Sequence, residues 1–108
     1  MSRPFSQPDV FAAIADPTRR AILNSLVGGE RSVSELAKPF DITLPAVSQH
    51  LKILRQTGLV TQTQSGRSRL YKLNPRALAP IVSWIEQYER FWRSKLKSLD
   101  RHLKERDE

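Results

Sequence analysis

Thr43, Ala46, Ser48, Gln49 and Lys52 are small or polar and recur along one short segment. Between them stand Val47, Leu51 and Leu54, whose spacings of 4 and 3 mark one face of a helix. With that stripe turned inward, the opposite side is left to meet a partner. Reading base edges in a DNA groove needs such a surface. Bulky side chains must be kept out, Gln can pair bidentately with adenine, Ser is adaptable, and Ala or Thr can touch a thymine methyl. The start of the helix adds N–H groups suited to a phosphate. The bland alternative is that Ser48 and Gln49 only solvate a surface helix. His50 sits one position from the stripe and reads as a packed or phosphate-contacting side chain rather than a catalytic base.

A second set of candidates lies downstream. Residues 59–74 contain Arg67, Arg69 and Lys72 and no acid, although the rest of the chain is mixed in sign. A hairpin with only positive charge suits phosphate tracking or minor-groove insertion. The competing reading is a soluble hairpin with a chance cationic bias.

The whole composition points the same way. The chain has 108 residues, 39% hydrophobic and 27% charged, which indicates a single globular domain rather than disorder. Its net charge of +7 favours a polyanion, nucleic acid before an anionic membrane surface. No window approaches the ~18 apolar residues of a membrane span. Met1 to Pro8 is polar, so no secretory signal is expected there. With no cysteine, disulfides, thiolate metal sites and cysteine nucleophiles are excluded, and a cytoplasmic location is expected. No glycine-rich phosphate loop or paired-carboxylate spacing is present, so no enzyme and no cofactor are expected.

These residues need elements to position them. Residues 1–8 read as a frayed arm and 9–104 as the domain. Val10, Phe11 and Ile14 suggest a short first helix. Asp16 caps a second helix with Pro17 at its first position, and Ile22, Leu23, Leu26 and Val27 form its inward stripe before Gly28-Gly29. Ser32 and Glu35 fit a capping box opening a short third helix, with Val33, Leu36 and Ala37 inward. Thr43 caps the fourth helix, Pro45 lies in its first turn, and Gly58 ends it. The period then changes to 2. Leu59 to Gln64 and Arg69 to Leu73 flank Ser65-Gly66-Arg67-Ser68, which reads as a hairpin. A single turn over 75–79 precedes a long helix restarting near Pro80. Residues 81–104 of it would span about 36 Å. The result is mostly α with a small β-hairpin, a winged helix-turn-helix.

The stretches AIADPTRRAIL (13–23), S-x-x-ELA (32–37), PAVSQHLKIL (45–54) and GLV…GR…Y-L (58–73) resemble the ArsR/SmtB family of bacterial winged-helix transcription regulators. The resemblance covers roughly residues 8–100. It implies a homodimer built on the first and last helices, with the PAVSQHL helix in the major groove of double-stranded DNA. It implies repression as the general activity, on a palindromic operator. Ser48, Gln49 and Lys52 then occupy recognition-helix positions, and Arg67 and Arg69 the wing. A dimer also fits the residues themselves, since Phe11, Ile14, Ile85, Tyr88, Trp92 and Leu99 are many large apolar groups for a monomer of this size to leave exposed.

Effector chemistry is narrowed by what is missing. Many family members sense metals through a cysteine pair in the third helix, where this chain reads SVSELAKPF. Others use a D-x-H and H-x-x-E set on the last helix. Here His102 and Glu105 match the second half, but YERFWR (88–93) offers no first half, so no metal site is expected. The aromatic stripe Trp84, Tyr88, Phe91 and Trp92 reads as core and dimer interface, or else as a pocket for a small apolar effector. The long last helix and missing metal motifs look most like members that act as simple autorepressors. A winged-helix protein-interaction module is the alternative function.

Overall fold

The computed structural model describes residues 9–107. The arm expected over 1–8 lies outside them. The described residues divide into two compact units, one up to residue 78 and one from residue 79 onward.

The first unit begins with α1 (Val10–Ala15) and α2 (Pro17–Leu26), then β1 (Arg31–Ser32), α3 (Val33–Ala37) and α4 (Leu44–Gln56). The hairpin β2 (Val60–Ser65) and β3 (Ser68–Leu73) follows, with a 3₁₀ turn over Pro75–Leu78. The helix starts are written in side-chain oxygens. Asp9, Asp16, Ser32 and Thr43 each accept the backbone N–H of the third residue of the following helix. At α3 the Glu35 carboxylate returns the bond to the Ser32 N–H at 3.0 Å, completing the capping box. The bond from the Ser32 backbone N–H, helped by the Ser32 hydroxyl, holds the Glu35 carboxyl below its ordinary pKa.

α4 ends in a full Schellman motif. Gly58 N–H donates to the Arg55 carbonyl at 3.0 Å and Leu59 N–H to the Leu54 carbonyl at 3.0 Å. The geometry requires Gly58 in the left-handed region, at φ 79°. Leu54 and Leu59, which such a cap brings together, are both fully buried. Asn74 then locks the hairpin's exit to its entrance, donating through Nδ2 to the Gly58 carbonyl at 2.9 Å and through its backbone N–H to the Leu59 carbonyl at 2.8 Å.

The core of this unit gathers Ala13, Ile22, Leu26, Leu36, Val47, Leu51, Leu54, Leu59, Val60 and Tyr71. The expected stripe of α4 is buried completely. Two expectations, on Val27 and on the sheet, are corrected. Val27 is 73% exposed, because α2 has ended at Leu26 and Val27 caps it instead of continuing the stripe. On α1 Val10 and Ala13 are buried, while Phe11 is 40% exposed and Ile14 is half-buried. The sheet also has three strands, in the order β1-β3-β2, because Arg31 and Ser32 pair with Tyr71 and Leu70.

The second unit is one 29-residue helix, α5 (Ala79–Asp107). The 3₁₀ turn and restart occur where Pro75 and Pro80 predict them. Along α5, Trp84, Ile85, Tyr88, Phe91, Trp92, Leu96, Leu99 and Leu103 form an apolar face that is 46–60% exposed.

Candidate nucleic-acid interface

α4 is anchored by its two caps and its buried stripe, and its other side faces outward. Thr43, Ser48, Gln49 and Lys52 are exposed and Ala46 is half-buried. Thr43 has a second duty, since its Oγ1 accepts the Ala46 N–H at 3.3 Å. Sequence reasoning missed part of this surface. Leu44, Pro45, Arg55 and Gln56 are also exposed, and helical spacing puts Arg55 and Gln56 on the side of Ser48 and Lys52. The signal was available in the same period that identified Lys52.

The hairpin is a ladder from Val60↔Leu73 to Ser65↔Ser68. Only Gly66 and Arg67 remain to turn the chain, two residues rather than four. Gly66 has φ 61° and Arg67 is not in the positive-φ region, the pattern of a type II′ turn, whose twist matches paired strands. Gln64 Nε2 donates to the Gly66 carbonyl at 3.0 Å and braces the tip. Arg67 therefore projects from the turn itself. Arg69 lies opposite Gln64, on the strand face that carries the buried Tyr71, while Lys72 lies opposite Thr61 on the other face. Arg67, Arg69 and Lys72 are all exposed, and the two strand cations stand on different faces of the ribbon.

His50 points elsewhere. Its side chain is 23% exposed, with Nδ1 3.4 Å from Arg19 Nη1 and 4.0 Å from Asp16 Oδ2. Arg19 and Arg20 were invisible as structural residues in the sequence. Arg19 donates from Nε to the Ala13 carbonyl at 2.7 Å and from Nη2 to the Ala12 carbonyl at 3.1 Å. Arg20 donates from Nη1 to the carbonyls of Ile14 and Ala15 at 2.7 and 3.1 Å. Both satisfy carbonyls that the end of α1 leaves orphaned. Asp16 accepts the Arg19 N–H at 3.0 Å, and this bond is the main reason its carboxyl lies below the ordinary value, with the Arg19 charge assisting.

The expected dimerisation residues of α5, Ile85, Tyr88, Trp92 and Leu99, all lie on its exposed apolar face. Trp84 and Tyr88 meet edge to face with centroids 5.4 Å apart, and a shallow hollow of about 290 Å³ is lined by Trp84, Ile85, Tyr88 and Trp92. His102 and Glu105 are exposed, and among the described residues no three His, Cys, Asp or Glu side chains cluster as a metal site would need. Among the same residues, no helix is long and apolar enough to cross a membrane.

Comparison with known proteins gives a consistent match. Residues 16–62 fit the family model described as bacterial regulatory protein, arsR family. The transcriptional repressor SdpR of Bacillus subtilis is 39% identical over 77 residues, covering 71% of this chain and 86% of that protein. The HTH-type transcriptional regulator Rv2034 of Mycobacterium tuberculosis is 42% identical over 89 residues, covering 82% and 80%. Among solved structures, an ArsR-like transcriptional regulator from Rhodococcus sp. RHA1 superposes with a TM-score of 0.64 at 31% identity, covering 83% of this chain and 85% of that one.

Proposed function

The chain belongs to the ArsR family of bacterial regulatory proteins, which are DNA-binding transcriptional regulators and not enzymes, and on that premise we propose that it is a homodimeric repressor of a palindromic operator. α4 enters the major groove, where Ser48, Gln49 and Lys52 meet bases and phosphates, and Thr43 and Ala46 line its approach. The wing follows the backbone with Arg67 at its tip and Arg69 behind. The observation that carries this reading is the pairing of a small, polar, exposed face on α4 with an acid-free hairpin, in a chain of net charge +7. A bulky residue in place of Ser48 or an acidic one in place of Arg67 should weaken DNA binding.

Dimerisation is supported by the exposed apolar face of α5 and by Phe11 on α1, whose burial against a second copy removes a large apolar surface from water. Two recognition helices then read two half-sites, hence the palindrome. The protein acts in the cytoplasm, where its operator is. It senses no metal through thiolates, having no cysteine. If a ligand relieves repression, the hollow on α5 suits a small apolar one.

Selection of bound duplexes from a random pool, followed by footprinting, tests the proposal. The expected result is an enriched site with two-fold symmetry, bound with steep salt dependence. Failure to enrich any sequence, with weak retention on heparin, would favour a protein-interaction module instead.

A further inference from the structure

Arg19 has one planar guanidinium and uses both edges of it. One edge, Nε and Nη2, donates to the Ala13 and Ala12 carbonyls at 2.7 and 3.1 Å. The other, Nη1, reaches His50 Nδ1 at 3.4 Å. A guanidinium nitrogen can only donate, so the ring nitrogen it meets must be the acceptor. The only other charged group described against the ring is Asp16, whose Oδ2 lies 4.0 Å from the same Nδ1, beyond hydrogen-bond reach. Glu35 and Lys38, the charged residues of the neighbouring α3 segment, are both exposed.

We propose that His50 is a positioning residue for the DNA-binding surface, working through Nδ1 as the acceptor that lets Arg19 tie α4 to the end of α1. This rests on the DNA-binding reading above and changes the part His50 plays in it. With Nδ1 accepting, the ring proton is assigned to Nε2. Gln49, the adjacent residue, is exposed on the reading side, so the rotation of α4 about its axis sets where that amide points. The caps fix the two ends of α4, and the buried stripe fixes its depth. Arg19 supplies a lateral polar tether near its middle. Sites that read geometry need such support, because side chains held loosely by even an ångström lose discrimination.

Two conservative replacements separate this role from direct DNA contact. The Asn side-chain oxygen falls near the position of Nδ1, whereas the Gln amide nitrogen falls near that of Nε2. His50→Asn, His50→Gln and His50→Ala would be assayed on the selected duplex and on a scrambled one, with thermal melting followed in parallel. The tautomer of the unaltered protein would be read from long-range ¹H–¹⁵N correlations of its imidazole rings, which needs no variant to fold. The expected result is a proton on Nε2, retention of affinity within about twofold by His50→Asn, and a loss of about two- to tenfold for the Gln and Ala variants. A proton on Nδ1 overturns the proposal. So does rescue by Gln where Asn fails, which makes His50 a DNA ligand through Nε2. Unchanged affinity in all three variants overturns it as well. If the unaltered protein binds no duplex, the DNA-binding reading falls, while the tautomer still decides whether Arg19 holds the ring.

Discussion

At the scale of single residues, Asp16 shows how one side chain sets up local order. It caps α2, and its backbone bond from Arg19 lowers its pKa. Replacing it with Ala should cost about 1 kcal/mol of stability, read from chemical denaturation, with Asn recovering most of the loss. The pH dependence follows from the direction of the shift. A carboxyl with a folded pKa below its unfolded one stabilises fully above the unfolded value and loses that contribution as pH falls through the folded value. The difference between the native protein and Asp16→Ala should therefore hold at neutral pH and shrink only as pH falls through and below the ordinary carboxylate range, towards what a neutral cap such as Asn supplies. A difference that disappeared between pH 7 and 5 would contradict this. The capping residues Asp16, Ser32 and Thr43 were legible in the sequence because a cap is a local device. Arg19 and His50 were not, since their partners lie on other helices and no spacing within one segment announces them.

Elements are where sequence reasoning reached furthest and also where it slipped. The change of period after Gly58, the Asn74-Pro75 turn and the restart near Pro80 all rest on nearest-neighbour backbone preferences, and the structure has each of them. β1 has only two residues, Arg31 and Ser32, and exists because β3 offers a free edge. Two residues carry no readable alternation, so the strand was hidden. Val27 was misplaced because helical periodicity says which face a residue takes, but not that the helix has already stopped. Gly58 offers a test of the junction between α4 and the wing. A methyl group there would meet nothing nearer than the Ala77 Cβ at 3.9 Å, so space is adequate and the cost is the backbone's. Gly58→Ala should destabilise by about 1 kcal/mol because φ 79° suits only glycine well. An unchanged denaturation midpoint would show that the Schellman geometry is dispensable.

For the whole molecule, the proposed dimer and its proposed recognition of DNA each make a measurable prediction. Sedimentation equilibrium at micromolar concentration should give twice the 12.4 kDa chain mass, and replacing Trp92 and Leu99 with Glu should return the single-chain mass while the circular dichroism of the fold persists. A 12.4 kDa species for the unaltered protein would refute the dimer. Zinc, cadmium, arsenite and copper should leave DNA binding unchanged, because the chain has no thiolate and His102 and Glu105 alone make a poor site. Stoichiometric release of DNA by any of them would redirect attention to that pair. The proposed division of labour, base reading by α4 and phosphate contact by the wing, is separated by Gln49→Ala and Arg67→Ala, each titrated against the selected and a scrambled duplex at several salt concentrations. Gln49→Ala should cost about 1–3 kcal/mol per half-site on the selected duplex alone, relaxing discrimination at one position. Arg67→Ala should weaken both duplexes evenly and lower the salt slope by about one per wing. Equal weakening of both duplexes by Gln49→Ala would contradict base reading by α4.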